Sequence, residues 1–427
     1  MHLLLIAYVW PEPESSAAGA HVMQLIERFR AQHWQVTVAS PAAKTEYSRN
    51  LSVLGLGEQA IRLNCDSFDS WIKQLQPDIV LFDRFMMEEQ FGWRVAHHCP
   101  QALRVLETSD LHSLRQARQQ LLKAGLAAGH THPPLSTAAE LYSAMASEEL
   151  TQREIAAIYR CDLTLLLSDV EKKLLVEQFG VPQYLLHYCP FMLDAVDNKQ
   201  RLSFADRQHF VSIGNFLHSP NWDSVLWLQQ QIWPLIRQQL PQAQVFVYGA
   251  YAPPKALALH QPAQGFHVPG RAGDACAVLE QARVCLAPLR FGAGIKGKLA
   301  DAMRCGTPSV TTSIGSEAMA CGDQWGGLVA NTADELARAA VRLYQDPVLW
   351  QQAQHDGDSL LLARFDKQKI GSALMGQLQD ALQQREQRRL ANFTGLLLQH
   401  QAHRSTEYMA RWIEAKNKLP PPKPPGL

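Results

Sequence analysis

Twice along this chain, a short apolar run gives way to a loop of small residues, an amphipathic segment and a second apolar run. The first such unit takes in a run at 2–10, a loop at 11–20, a helical segment at 21–32 and a strand at 36–39. The second opens at 209–213, turns at Gly214, resumes as a helix from Asn221 and returns as a strand at 244–248. Alternation of this kind joins neighbouring parallel strands through right-handed helical crossovers, and helices cover both faces of the sheet. Further apolar runs at 61–64, 78–83, 103–106, 162–168 and 184–188 extend the first set, and runs at 284–289, 309–312 and 327–330 extend the second. Segments at 67–75, 85–97, 113–128, 137–159, 170–179, 274–282, 296–304 and 332–344 read as the helices between them. The expected class is α/β, with two parallel-sheet domains.

At 427 residues the chain is long enough for two cores. Residues 1–193 make the expected first domain, with a helical insertion at about 113–160; the polar stretch 194–208 is the expected linker. The second domain is expected at 209–375, followed by C-terminal helices and a proline-rich tail over 376–427. Hydrophobic residues at 47% and charged residues at 19% describe a globular chain, and a formal net charge of zero supplies no field to steer it toward nucleic acid. The apolar start lacks a basic leader and a small-residue cleavage site, so it reads as a strand. No apolar run reaches the length of a membrane span. Eight scattered cysteines, without a Cys-x-x-Cys pair, read as reduced thiols of a cytoplasmic protein with no metal site. His130 and His132 stand beside Pro133-Pro134 without a third ligand and read as a plain loop.

Ligands of such sheets sit beyond the carboxyl ends of the strands. There the most informative stretch is 284–312, which reads as a strand, a glycine-rich turn, a helix and a second strand. Gly292 and Gly294 let the backbone approach a ligand closely, and the helix that follows turns its first N–H groups toward an anion. Arg290, Lys296 and Lys298 add positive charge, with no acidic residue before Asp301. That combination suits a diphosphate. Lys298, one turn inside the helix, is the better-placed cation, and Lys296 is open to a solvent-facing position. Gly214 and Asn215 offer a second set of amides near a phosphate. In the first domain, the loop 15–20 and the stretch 107–115 lie at the same kind of strand end. Asp110 reads equally as a helix cap and as a cleft residue, and Asp223 as a first-turn carboxylate.

The string Gly292, Gly294, Ile295, Lys296, Lys298, Asp301-Ala302 and Gly306-Thr307-Pro308 resembles the nucleotide-sugar-binding segment of the retaining, GT-B-fold glycosyltransferases of family 4, glycosyl transferases group 1. Gly214, Pro220, Asn221, Asp223, Trp233 and Pro234 are similar to the opening of that family's donor-binding domain. The resemblance covers about 210–330 well and the first domain in outline, and it implies a GT-B arrangement of two Rossmann-like domains. It implies that Gly214, Asn215, Gly292, Gly294, Ile295, Lys296 and Glu317 bind the donor. His112 matches a histidine that reaches the transferred sugar, and Lys298 and Asp301 join it as catalytic candidates. Gly19, Asp110 and Arg115 are candidates for an acceptor or phosphate loop. The chain departs from the family pattern at Ala293, where the first of two glutamates would stand, and at Asp301, which replaces the second, the one that holds the ribose hydroxyls. Near Gly214, Asn215 and His218 stand where many members carry arginine and lysine.

The implied reaction moves a sugar from a nucleoside-diphosphate sugar to a glycan, lipid-linked or protein acceptor with retention at the anomeric carbon. It needs no metal or other cofactor, because lysines and a helix N-terminus neutralise the departing diphosphate. The reading from another class is a non-catalytic relative that binds nucleotide as a regulatory or scaffold subunit. The basic helix at 393–418 has an apolar face that suits either packing on the protein or peripheral contact with the inner face of a membrane.

Overall fold

The computed structural model describes residues 1–130, 135–194 and 201–418. His132, part of the expected linker and the proline-rich tail lie outside the described residues. In the first domain, β1 (His2–Ile6), β2 (Gln35–Ser40), β3 (Gly57–Ala60), β4 (Ile79–Asp83), β5 (Leu103–Glu107), β6 (Leu163–Leu166) and β7 (Leu186–Tyr188) form one sheet in the order β3-β2-β1-β4-β5-β6-β7. In the second, β8 (Gln208–Ile213), β9 (Val245–Tyr248), β10 (Phe266–Gly270), β11 (Ala282–Ala287), β12 (Ser309–Thr311) and β13 (Gly327–Val329) run in the order β10-β9-β8-β11-β12-β13. The strands within each sheet pair in parallel. Strand order reverses between β1 and β4 in one sheet and between β8 and β11 in the other, and each reversal opens a crevice at the carboxyl ends.

Alternation along the strands feeds two apolar layers per sheet. Leu4 and Ile6 pack on one face with Phe68, Phe82 and Phe91, while Leu3 and Leu5 pack on the other with Leu25, Ile26 and Phe29 of helix Ala17–Arg30. In the second domain Phe210, Val245, Val284 and Leu286 meet Trp233 and Trp350, and the opposite face is thinner, with Val211, Cys285, Leu279 and Ala302. A further apolar seam joins the domains: Leu167 and Phe191 from the first pack with Ile295, Leu299, Met303, Met319 and Phe365 of the second.

Two elements and one residue differ from their sequence expectation for identifiable reasons. β3 covers Gly57–Ala60 rather than 61–64; it is a polar edge strand, so it carries no apolar run to announce it. The helix expected at 137–159 is two helices, Ala138–Ala146 and Glu149–Arg160, separated at Ser147 and Glu148; Thr137 and Glu140 close a reciprocal cap on the first. Asp223 lies beyond the first turn of helix Ser219–Trp227, and its carboxylate instead grips Arg290.

The C-terminal helices return to the first domain. Helix Lys367–Gln383 inserts Leu374, Met375 and Leu378 into that core, so the expected domain limit at 375 falls inside it. Helix Phe393–Lys418 also lies on the first domain, tied by Glu414 to Arg94, Lys418 to Asp66, and Gln399 to the Arg160 carbonyl. Its outer side leaves Leu397, Tyr408, Met409 and Trp412 exposed. No helix among the described residues is long and apolar enough to cross a membrane.

Candidate functional site

The crevice between β8 and β11 brings together two loops that are far apart in sequence. After β8 the chain turns through Gly214 and Asn215; after β11 it passes Arg290 to Lys296 and enters helix Gly297–Arg304. Lys298 reaches back to Asn221, with Nζ 2.7 Å from Oδ1. A Cβ added at Gly214 would stand 2.7 Å from that same Nζ, so glycine keeps the backbone open beside the ammonium group. Burial brings Lys298 down to about 8, and Lys296 likewise to about 8. Both carry their proton at neutral pH and stand in surroundings that an anion would improve.

Lys296 does not face solvent. It is the residue that precedes the helix rather than its first turn, and this extended position turns the side chain inward to bond the Gly294 carbonyl at 2.8 Å. Ile295 points into the apolar seam. Gly294 takes a left-handed conformation (φ 62°), and a Cβ there would press within 2.9 Å of Asp110 in the opposite domain. Its N–H donates to Glu171 at 2.6 Å. Gly292 lends its carbonyl to Arg118, 2.8 Å away. Arg290 leaves the expected cationic cluster: Asp223 holds it in a two-pronged ion pair, and it stacks over Trp227.

From the first domain, β5 ends at Glu107 and the chain runs through Ser109 and Asp110 into helix His112–Ala127. Glu154 caps that helix across space, accepting the His112 and Ser113 N–H groups at 2.9 and 3.1 Å and the Ser113 hydroxyl at 2.5 Å. Burial raises Glu154 to about 7. Asp110 is therefore not the cap; it pairs with Arg115 and stands 3.4 Å from His112 Nε2. Burial alone would raise the Asp110 carboxyl, but Arg115 and the imidazoles of His112 and His218 hold it well below the usual range. Burial depresses both His112 and His218 to about 4, so both rings are neutral at physiological pH. Arg115, its charge matched by Asp110, orders this corner.

The remaining candidates divide. Asn215 bridges the cleft, its amide 3.4 Å from the Ser15 carbonyl. Glu317 forms a double ion pair with Arg118 at 2.6 and 2.7 Å, which keeps its carboxylate ionised despite burial. Asp301 sits one turn beyond Lys298, half exposed and 3.5 Å from Arg304. Gly19 is set apart: a Cβ there would meet the Glu12 backbone at 2.5 Å, and its N–H is already held by Ser16. It serves the folding of the 11–16 loop, and that loop reaches the second domain instead. Glu12 accepts from Tyr251 at 2.9 Å, and Glu14 pairs with Arg271 at 3.0 Å.

Sequence reasoning missed Glu171, Arg118 and the Glu12–Tyr251 contact, and it named His218 without its place beside Asp110. Ser168 and Glu171 show the spacing of a capping box, and Ser168 does accept the Glu171 N–H at 3.1 Å. The Glu171 side chain, however, turns into the cleft, bonds the N–H groups of Leu111 and Gly294, and leaves Oε2 buried without a partner. Burial, reinforced by Asp110, pushes it up to about 8. Among the described residues no group of three or more His, Cys, Asp or Glu side chains is placed to hold a metal ion.

Residues 207–346, which carry the glycine loop and the Lys298 helix, match the family described as glycosyl transferases group 1. No curated protein matches the chain by sequence. Among solved structures, sucrose-phosphate synthase from Thermosynechococcus elongatus superposes with a TM-score of 0.63 at 18% identity, over 90% of this chain and 99% of that one. The Anabaena protein HepE, solved with UDP and glucose, gives 0.64 at 14% identity, over 89% of this chain and 100% of that one. A TarM mutant of S. aureus, solved with fondaparinux, alpha-GlcNAc-glycerol and UDP, gives 0.55 at 12% identity; the match covers 72% of this chain and 57% of that one. These likenesses establish the GT-B architecture, two Rossmann-like domains across a central cleft.

Proposed function

We propose that this protein is a glycosyltransferase that moves a sugar from a nucleoside-diphosphate sugar to a glycan, lipid-linked or protein acceptor, with retention at the anomeric carbon. One observation carries the reading. Lys298, bonded to Asn221 and lying against the bare backbone of Gly214, stands at the point where strand order reverses between β8 and β11. A half-buried cation, a side-chain-free turn and a helix N-terminus at one crevice suit a diphosphate. HepE and the TarM mutant, which share the architecture, were solved with UDP.

Cleaving the anomeric C–O bond adds negative charge to the diphosphate, and donors aimed there in advance lower the barrier. Lys298 and the opening turn of its helix take that role, with Lys296 and Gly292–Gly294 behind them. Asp301 accepts the ribose hydroxyls. His112, neutral because burial brings it to about 4, offers the transferred sugar a hydrogen bond without competing for its charge. Retention follows if the acceptor enters from the side the leaving group departs and the leaving phosphate takes its proton. Ala293, packed at the edge of the first domain's core, holds no carboxylate over that face, and this favours a front-face route over a covalent intermediate.

The same alanine keeps the non-catalytic nucleotide-binding reading in play as the second hypothesis. Incubating the protein with UDP-, GDP-, ADP- and TDP-sugars separates the two. Slow hydrolysis of one donor, lost in Lys298→Ala together with at least a tenfold drop in affinity for the matching nucleoside diphosphate, supports the transferase. Binding without hydrolysis or transfer supports the scaffold, and unchanged affinity in Lys298→Ala removes that lysine from the site.

A further inference from the structure

Behind the Lys298 helix, two thiols from different elements meet. Cys276 lies in helix Ala275–Gln281, and Cys305 follows the last residue of helix Gly297–Arg304; their sulfurs are 3.0 Å apart. The backbones around them are already fixed at close range. Thr307, two residues past Cys305, donates its hydroxyl to the Leu279 carbonyl at 2.7 Å, and Arg207 holds the Cys305 carbonyl at 2.8 Å. Cys276 is partly exposed and Cys305 is buried. One thiol is therefore open to a small reagent, and the second can be reached only through the first. The bond to Cys305 and the nearby Arg304 guanidinium lower the Cys276 thiol toward its reactive thiolate, and the same contact raises Cys305.

We propose that Cys276 and Cys305 are a reversible disulfide site that controls the nucleotide crevice. The oxidant is a low-molecular-weight disulfide. The Cys276 thiolate attacks one sulfur of that reagent, forming a mixed disulfide and expelling one thiolate, which takes up a proton. Cys305 then loses its proton to solvent and attacks the Cys276 sulfur, forming the internal bond and expelling the second thiolate, which is protonated in turn. Two protein thiols are oxidised and one external disulfide is reduced to two thiols. Bonding draws the sulfurs about 1 Å closer, since a disulfide spans ~2.0 Å. The helix between Gly297 and Arg304 is locked into the core by Leu299, Ala300, Ala302 and Met303, so a pull at its end shifts it as a body. That shift re-aims Lys298 against Asn221. The control half of the proposal rests on the nucleotide-binding reading; the cross-link does not.

The test uses the full chain with Cys65→Ser and Cys321→Ser, because those two thiols are also open to solvent. After treatment with oxidised glutathione, intact-mass measurement should show a loss of about 2 Da. Peptide mapping should join the segments bearing Cys276 and Cys305, and dithiothreitol should reverse both changes. Cys276→Ser added to that background should abolish the cross-link. UDP and the other nucleoside diphosphates should bind the oxidised protein at least threefold more weakly than the reduced one, and Cys276→Ser should bind equally under both conditions. Two intact thiols after oxidation overturn the site; a cross-link with equal affinities overturns the control. Absence of nucleotide binding even in the reduced protein overturns the function proposed above and leaves the mass measurement to decide the cross-link.

Discussion

Glu171 shows how far a single side chain can depart from its local sequence meaning. Ser168 and Glu171 announce a helix start, and that helix forms, yet the carboxyl group belongs to the opposite domain's glycine loop. Held at about 8 against an ordinary value of 4.5, it keeps a proton in the folded protein that the unfolded chain gives up. Its contribution to stability is therefore complete below about 4.5 and is lost as pH rises through about 8. Glu171→Gln retains an acceptor for the Gly294 N–H and removes the titration. Melting temperature followed from pH 5 to 9 should fall more steeply in the native protein than in the variant, and parallel curves would place Glu171 outside the cleft's proton balance. At this scale, the glycines and proline at 292–308 were legible because they act on their own backbone. Lys296 was not: one residue's difference in where the helix begins turned it from solvent to the interior. Nor was Arg290, whose partner Asp223 is 67 residues away in sequence.

Helix His112–Ala127 joins the two domains directly. Its Arg118 crosses the cleft to Glu317 and to the Gly292 carbonyl, and these bonds fix the glycine loop from outside its own domain. Arg118→Ala strands a largely buried carboxylate, at a cost of about 2–3 kcal/mol. Calorimetry should register a melting temperature lower by several degrees. Glu317→Gln in the same chain should restore part of the loss, because it removes the stranded charge, whereas additive losses would deny the pair its role. Strands buried on both faces and capped helices could be read from sequence because their signals are periodic and local. The polar edge strand β3 and the break between Ala146 and Glu149 could not, since pairing and packing, rather than residue type, define them.

On the scale of the whole molecule, the domains meet with little tolerance. A Cβ on Gly297 would come within 2.5 Å of the Ala17 Cβ across the cleft, so the start of the Lys298 helix lies directly against the first domain. Gly297→Ala should leave each domain folded, with unchanged circular dichroism, but hold the two slightly apart. Sugar transfer should then fall tenfold or more while nucleoside-diphosphate affinity changes less than threefold. Equal losses in both would mean that the glycine serves its own domain rather than closure. Two parallel-sheet domains were legible from alternation and the GT-B outline from the resemblance carried by 292–308, whereas the contacts across the cleft were not, because loops of both domains assemble them.

The chain leaves the first domain after Leu193 and comes back after Phe365, and at that place the two passages are stitched together. The Leu193 N–H donates to the Phe365 carbonyl at 2.8 Å, and the Lys367 N–H donates to the Leu193 carbonyl at 3.1 Å. Two cords fastened at one spot make a door's hinge pin rather than a tether: any swing of the lobes would turn about that line.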